Sequence, residues 1–461
     1  MSGEILALDV GTSAFKLGVF DRSLEKRCEA RRSYDVHLYD DGKADIDPEL
    51  WWEALRACCR EVAGEVRGVR VIALSVTTPG LTPMAADGTA LAPAVLFLDG
   101  RSRRQAAEIR CAVGEERFLA DACNLPVSGG SSLASILWFR DEQPDVWRRA
   151  TMFGHCNTYL VRRMTGAWAI DPSTTSITGL YATRRDDLTW NAGILDAAGI
   201  APERLPPLLR SFDPVAPLLP AVADELGLPA GAMVLCGGND AVLSALSGGV
   251  TEPGAINIIS GTCDIASVCT DRPIASPAFN LRCHVVPGRW LTFFVLNTGG
   301  AALEWFRRVA CTDVPEDRFY REYLPGVLTR FFEDAAADRR EAALPLYEPY
   351  LGGSRYSLER LTAALSGLTL ETTRDDLLVS IVRGNAAYLG RHLAEVSELI
   401  PLGHSVAISG GGAEGSGMLD ARRRWTGDFD YRYQDQSSLL GAAMLGRRFL
   451  TGDWGWPARK S

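Results

Sequence analysis

EILALDVGTSAFKLGVFD, residues 4–21, reads as an apolar strand, a Gly-Thr-Ser turn and a second apolar strand. Residues 254–271, GAINIISGTCDIASVCTD, repeat that order with Gly261-Thr262-Cys263 at the turn. Glycine at such a turn lets backbone N–H groups and a hydroxyl point at one anion with no Cβ in the way. The duplication therefore predicts two phosphate loops. Only the first copy carries an acid just before its turn, Asp9, the asymmetry required by a metal-bridged triphosphate held between unequal halves. Two ordinary hairpins satisfy the same pattern.

Working outward, 461 residues exceed the size at which a single hydrophobic core keeps growing, so two domains are expected, and 47% hydrophobic residues supply both cores. A net charge of −9 with no basic stripe argues against nucleic-acid and anionic-membrane partners and for small-molecule chemistry. Lysine occurs only at Lys16, Lys26, Lys43 and Lys460, which singles out Lys16 just past the first loop. The 11 cysteines are scattered and odd in number, with no C-x-x-C pair, as expected of reduced thiols. Glu4 and Asp9 interrupt the first apolar run, so no signal peptide or membrane span is expected and the reading is a soluble, cytoplasmic protein.

The first half alternates strand and helix patterns. Residues 48–66 read as a helix after Asp47-Pro48, VIALSV (71–76) as a strand, and 101–123 and 131–165 as helical, with Pro144 opening a new helix. MVLCGG (233–238) is a strand followed by Asn239-Asp240 and a small-residue helix. The Gly/Pro-punctuated stretch 248–254 is the expected boundary, dividing the chain into 1–250 and 251–461. The second half adds strands over 254–269 and 281–296, helices from about Ala301 and over about 374–399, the strand HSVAISG, a Gly-rich turn and a final helix near 437–450. The fold class is α/β, two-lobed, with a cleft between lobes.

Several positions carry chemistry. Asp240, between a strand and a helix, is placed to act as general base for a hydroxyl nucleophile, although an Asp after a strand is more often a helix cap. Gly299-Gly300 precede a helix whose N-terminus suits phosphates, or form a tight packing turn. Gly410, Gly411 and Gly412 give a flat backbone surface for an adenine and ribose. Phe97, Asp99 and Arg101 offer an aromatic face, a carboxylate and a guanidinium suited to sugar hydroxyls, or an ion pair at a helix start.

These elements in this order resemble the FGGY carbohydrate kinases of the actin, hexokinase and Hsp70 superfamily, from Ile5 to about Gly446. DVGTSAFK, LAPAVLFLDGRS, GLPAGAMVLCGGNDA, TGGAALEWF and SLLGAAMLG are each similar to family landmarks. The resemblance implies a two-domain, ribonuclease H-like fold with an interdomain active-site cleft, a small sugar as partner, and ATP and Mg2+ as cofactors. It implies a magnesium role for Asp9, and phosphate contacts at Gly11, Thr12, Ser13, Lys16, Gly261, Thr262 and Gly300. Gly411, Gly412 and Gly415 fall at the adenosine motif, Asp240 at the catalytic base, and Gly80, Leu81, Phe97 and Asp99 at the sugar. Phosphoryl transfer asks for in-line positioning, a metal and donors around spreading charge, which this set supplies.

Departures bear on the substrate. Xylulokinases have Gln-Met-His-Gly where this chain has Pro79-Gly80-Leu81-Thr82, so the histidine contact is missing, and the Arg-Glu pair of glycerol kinases is missing too. VTTPGL resembles fuculokinases and rhamnulokinases, while LDGRS is close to xylulokinases. Arg383 and Gly415 replace a usual Glu and a usual Ser or Asn on the nucleotide side. The expected activity is phosphorylation of a ketose, a pentulose such as xylulose ahead of a 6-deoxyketohexose or polyol, with a non-catalytic sugar and nucleotide sensor, or a phosphate-to-water hydrolase, as alternatives. A homodimer is compatible with this reading but is not encoded in any motif.

Overall fold

The computed structural model describes residues 4–334, 337–359, 361–413, 415, 417–434 and 437–456. The chain forms two compact units, one comprising 1–249, 271–291 and 437–461, the other 250–270 and 292–436. The division expected at 250/251 lies one residue beyond the end of the first of these segments. Two later segments, 271–291 and 437–461, return to the first unit, and the apolar helix Ser437–Thr451 shows why. Gly441 lies against the Leu243 carbonyl of the helix Asp240–Ser247, where a Cβ would come within 2.2 Å, and Gly446 lies against Ile5. Small residues let this helix seat closely on a core built some 430 residues earlier in sequence, a pairing that no local pattern announces.

The first unit is organised around a sheet whose strand order is Pro214–Pro217, Met233–Leu235, Val71–Val76, Ile5–Val10, Ala14–Phe20, Lys26–Ser33. Ile5–Val10 and Val71–Val76 run parallel in register, Ile5 opposite Val71 and Val10 opposite Val76, and both are buried throughout. Continuous Val, Ile and Leu on both faces is what a central strand covered on two sides requires. The helix Glu49–Glu61 covers one face through Trp51, Trp52, Leu55, Cys58 and Cys59. Because Gly238–Asn239 pairs in parallel with Ser75 and Val76, three strand ends bring Asp9, Ser75–Thr78 and Asn239–Asp240 together at the carboxyl edge, where open α/β sheets bind ligands.

A second, antiparallel sheet in the same unit runs His37–Leu38, Ala44–Ile46, Ala94–Leu96, Gly80–Met84, Met152–Gly154. Its core gathers Leu81, Val95, Phe118, Phe139 and Phe153. Residues 131–165 are thus three helices with a strand between the second and third, and not helix throughout. Met152–Gly154 is too short to show a period of its own and is extended because it pairs with Thr82–Met84.

The second unit repeats the plan. Ile256–Ser260 and Asp264–Thr270 form an antiparallel hairpin, as Ile5–Val10 and Ala14–Phe20 do, and Ile256–Ser260 again has a parallel neighbour, Ser405–Ser409. Trp290–Leu296 flanks the hairpin and Asp430–Gln434 lies beyond Ser405–Ser409. The helices Gly300–Ala310, Leu324–Glu333, Arg374–Ser397 and Met418–Trp425 share a core of Leu303, Phe306, Phe319, Leu328, Phe331, Leu378 and Met418. The longest of them, Arg374–Ser397, starts at a Thr373/Asp376 capping box.

Candidate active site

In the first unit, Asp9 ends its strand almost fully buried. Its Oδ1 accepts from Ser75 Oγ at 2.8 Å and its Oδ2 from Ser438 Oγ at 3.0 Å, with Lys16 Nζ 3.5 Å away. Lys16 faces Asp9 because the two are cross-strand partners in the hairpin. The turn itself closes through Gly11 N–H donating to the Ala14 carbonyl at 3.0 Å, and Tyr34 OH donates to the Gly11 carbonyl at 2.6 Å. Thr12 is half-buried, 3.4 Å from Thr77 Oγ1, and Ser13 is exposed at the tip.

Asp240 opens its helix, but Asn239 is the cap, its Oδ1 accepting from Val242 N–H at 3.1 Å. Asp240 Oδ1 accepts from Ala241 N–H at 2.7 Å and Asn239 Nδ2 at 2.9 Å. Burial, and next the Asp9 charge, raise its pKa to about 6 against the opposing pull of the Ala241 amide, Arg282 and Asn239. Asn239 is in turn held by Ser173 Oγ, which accepts its N–H at 2.9 Å, and Ser173 leans on the buried Asp171, also bonded by Ser211 Oγ at 2.7 Å. Thr78 Oγ1 accepts from both Asn239 Nδ2 at 2.8 Å and Arg282 Nη1 at 2.9 Å. Close by in charge, buried His155 pairs with Ser132 Oγ at 2.7 Å, and burial with the Arg282 charge pushes its pKa down to about 3, so the ring is neutral.

The expected sugar contacts fare unevenly. Leu81 is enclosed in the core beside Val95, and Gly80 pairs with Leu96, where a Cβ would sit 3.6 Å from the Trp51 ring. Asp99 is 1% exposed and its oxygens are engaged. Oδ2 accepts from Ala44 N–H at 2.7 Å and Arg101 Nε at 2.8 Å, Oδ1 from Arg101 N–H at 2.8 Å, and Arg101 also bridges to Asp45 at 2.7 Å. The Asp99-Arg101 pair is thus the ion pair at a helix start, and its carboxylate is not offered to a sugar. Phe97 is half-buried, its carbonyl closely approached by Gly129. Thr78, Arg282, Asp171, Ser75 and Ser438 were not singled out as site residues from sequence. Thr78 adjoins a motif that was read, while Arg282 and Ser438 arrive from the two returning segments.

In the second unit, all six expected residues, Gly261, Thr262, Gly300, Gly411, Gly412 and Gly415, line one cavity of about 830 Å³ together with Leu303, Glu304, Tyr320, Arg321, Leu324 and Met418. Apolar walls with a polar rim and a glycine floor suit a nucleotide. Gly300 N–H donates to the Gly261 carbonyl at 2.8 Å and Ala301 N–H to that of Thr262 at 3.2 Å, so the start of the helix fixes the loop. A Cβ on Gly300 would sit 2.7 Å from the Gly261 oxygen, which is why glycine stands there. Arg383 donates to the carbonyls of Glu341 at 2.8 Å and Pro345 at 3.0 Å, and is not among the lining residues. Where the first loop has Asp9 two residues before its turn glycine, this loop has Ile259, and the acid after the turn, Asp264, is paired with Arg422 at 2.8 Å.

Among the described residues, no group of three or more His, Cys, Asp or Glu is arranged to hold a metal. A lone carboxylate such as Asp9 fits a magnesium ion that keeps its water and phosphate oxygens. Among the described residues no helix is long and apolar enough to cross a membrane.

Two α/β units built on repeated hairpins, one carrying the buried Asp9 and Asp240 at strand ends and the other a glycine-floored cavity, define the class by fold: two-domain, actin/hexokinase-like α/β proteins. Residues 4–247, more than half the chain, match the FGGY family of carbohydrate kinases, N-terminal domain, and the chain belongs to that family. It is 24% identical over 449 residues to the xylulose kinase of Staphylococcus xylosus, covering 96% of this chain and 90% of that one. It is 26% identical over 431 residues to the autoinducer-2 kinase of Klebsiella pneumoniae subsp. pneumoniae, covering 89% and 79%. The ligand-bound xylulose kinase structure from Lactobacillus acidophilus superposes with a TM-score of 0.87 at 19% identity, over 98% of this chain and 90% of that one. The protein is a sugar kinase, transferring phosphate to an alcohol group.

Proposed function

We propose that the protein transfers the γ-phosphoryl group of ATP to a hydroxyl of a ketose, a pentulose such as xylulose. The observation that carries this reading is Asp240, whose Oδ1 is held by Ala241 and Asn239 while its pKa is raised to about 6, a base poised near neutral pH. Asp240 takes the proton of the acceptor hydroxyl as that oxygen attacks the γ-phosphorus; the bond to the bridging oxygen breaks and ADP leaves with the electron pair. Thr78, with both of its lone pairs occupied by Asn239 and Arg282, has its own O–H left to donate to the sugar. Lys16 and the Gly11-Thr12-Ser13 turn attend the phosphates on the first unit. Gly261, Thr262 and Gly300 attend them on the second, where Gly411, Gly412 and Gly415 carry the adenosine. Asp9 would hold Mg2+, which when bound would supply neutralisation of the charge on the transferring phosphate.

The relative named a xylulose kinase supports the pentulose, and the relative named an autoinducer-2 kinase supports testing more widely. The experiment is Mg2+-dependent ADP formation from ATP over a panel of ketopentoses, 6-deoxyketohexoses, polyols and autoinducer-2. One strong acceptor, lost in Asp240→Asn, is the expected result. ADP release independent of any sugar points instead to hydrolysis, and silence with ATP bound points to a sensor.

A further inference from the structure

Ser260, Asp264 and Arg422 form a buried triangle in the second unit. Arg422 Nη2 donates to Asp264 Oδ2 at 2.8 Å and to Ser260 Oγ at 2.7 Å, and Ser260 Oγ donates to Asp264 Oδ1 at 2.9 Å. Arg422 is 4% and Asp264 3% exposed. Three glycines are stacked directly on this triangle. Gly299 is packed so tightly on Asp264 that a Cβ would sit 2.5 Å from its carboxyl carbon. Gly410 and Gly412 press on Ser260, where a Cβ would sit 2.2 Å from its carbonyl oxygen and 2.9 Å from its hydroxyl, respectively. The loop residues Gly261 and Thr262 lie in the turn between Ser260 and Asp264 and receive the Gly300 and Ala301 amides. A second clamp comes from Asn385, whose Nδ2 donates to the Gly299 carbonyl at 3.2 Å.

None of Ser260, Asp264, Asn385 or Arg422 lines the large cavity; all four line a small cavity of about 20 Å³ that shares Gly300, Leu303, Gly412 and Met418 with it, so the group stands one layer behind the large cavity's wall. A buried ion pair is a weak source of stability, since apolar residues of similar volume often do as well, and its better-attested use is to fix one geometry. We propose that Asp264 and Arg422 are a positioning pair for the nucleoside di- or triphosphate, setting the spacing of the phosphate loop, the Gly299-Gly300 turn and the Gly410–Gly412 turn. The proposal rests on the second unit being the nucleotide side. It assigns Arg422 no contact with the ligand.

The test is calorimetric titration of the full chain with ADP, beside thermal melting and steady-state kinetics, for wild type, Arg422→Met and the apolar pair Asp264→Leu/Arg422→Met. Arg422→Met is expected to raise the Kd for ADP and the KM for ATP at least tenfold while the KM for the sugar stays within twofold. The apolar pair is expected to recover the melting temperature but not the ADP affinity, and it carries the comparison if Arg422→Met fails to fold. Wild-type ADP affinity in Arg422→Met, or recovery of affinity together with melting temperature in the apolar pair, overturns the proposal. Absence of ADP binding by wild type overturns instead the assignment of the second unit to the nucleotide, on which the proposal stands.

Discussion

Asn239 Nδ2 donates to Asp240 Oδ1 at 2.9 Å, and that bond decides which oxygen of the carboxylate is left for the proposed acceptor hydroxyl. With Ala241 N–H on the same oxygen, Oδ1 is fully engaged, while Oδ2 has no hydrogen-bond partner among the described residues. The Asn239 side chain also caps the helix and reaches Thr78, so one carboxamide aligns base, helix and neighbouring hydroxyl.

Asp240→Asn keeps the volume and the hydrogen bonds on one edge but removes the base. Turnover is expected to fall by roughly 10²-fold or more with ADP affinity unchanged. Steady-state kinetics beside calorimetry decide it, and turnover near wild type would remove Asp240 from the role.

The raised pKa of Asp240 fixes the sign of two pH effects. A base with a pKa of about 6 is protonated below that value, so kcat/KM for the sugar is expected to fall tenfold per unit below pH 6 and to level off above it. For stability, a folded pKa above the ordinary value of 3.8 favours the protonated fold, so stability is fully present below about pH 4 and is lost as pH rises through 6. The loss is on the order of 3 kcal/mol, and Asp240→Asn, which cannot ionise, is expected to escape it. Melting curves of both proteins between pH 4 and 8 measure the widening gap.

Neighbouring charges should move that acidic limb in opposite directions. Asp9 repels the Asp240 charge and Arg282 attracts it. Asp9→Asn is therefore expected to shift the limb to lower pH as well as raise the magnesium requirement, and Arg282→Met to shift it to higher pH. Displacement in the same direction by both variants, or in neither, would break the electrostatic link between the three residues.

How far the sequence reached depends on how local each signal was. The two hairpins were legible because each phosphate turn and both of its strands lie within about 18 residues and alternate apolar runs with glycine. The six cavity-lining positions of the second unit were legible for the same reason, each lying beside a glycine turn at a strand end. Asp240 was legible as a residue between strand and helix, but its division of labour with Asn239 was not, since either side chain is chemically able to cap. Asp99 kept two readings in the sequence, because an Asp two residues before an Arg looks the same whether it faces a sugar or closes on that Arg; its bonds to Ala44 N–H and Arg101 favour the second. Ser438 and Arg422 lie 429 and 158 residues from the carboxylates they bond, distances at which pattern carries no information.

Asp99 should behave as a structural residue. Asp99→Leu leaves Arg101 with Asp45 as its one remaining carboxylate and strips the Ala44 N–H of its acceptor, so it is expected to cost about 1–3 kcal/mol of stability. Asp99→Asn, which preserves the acceptor to Ala44 N–H, should cost less and leave the KM for the sugar within twofold. A large rise in that KM with an unchanged melting temperature would return Asp99 to the sugar.

The second unit offers a steric test. Gly300 has room for no side chain, because a Cβ would stand 2.7 Å from the Gly261 carbonyl oxygen, well inside van der Waals contact. Gly300→Ala must push the phosphate loop and the start of the helix apart, at about 1–3 kcal/mol for an overpacked contact. Since the Gly300 N–H donates to that same carbonyl, the displacement falls on the loop that presents Gly261 and Thr262 to the cavity. ADP affinity is expected to weaken by about tenfold, the equivalent of about 1.4 kcal/mol, while sugar binding measured without nucleotide stays at the wild-type value. If sugar affinity falls and ADP affinity holds, the division of labour between the two units is the reverse of the one argued from Asp240 and the glycine-floored cavity.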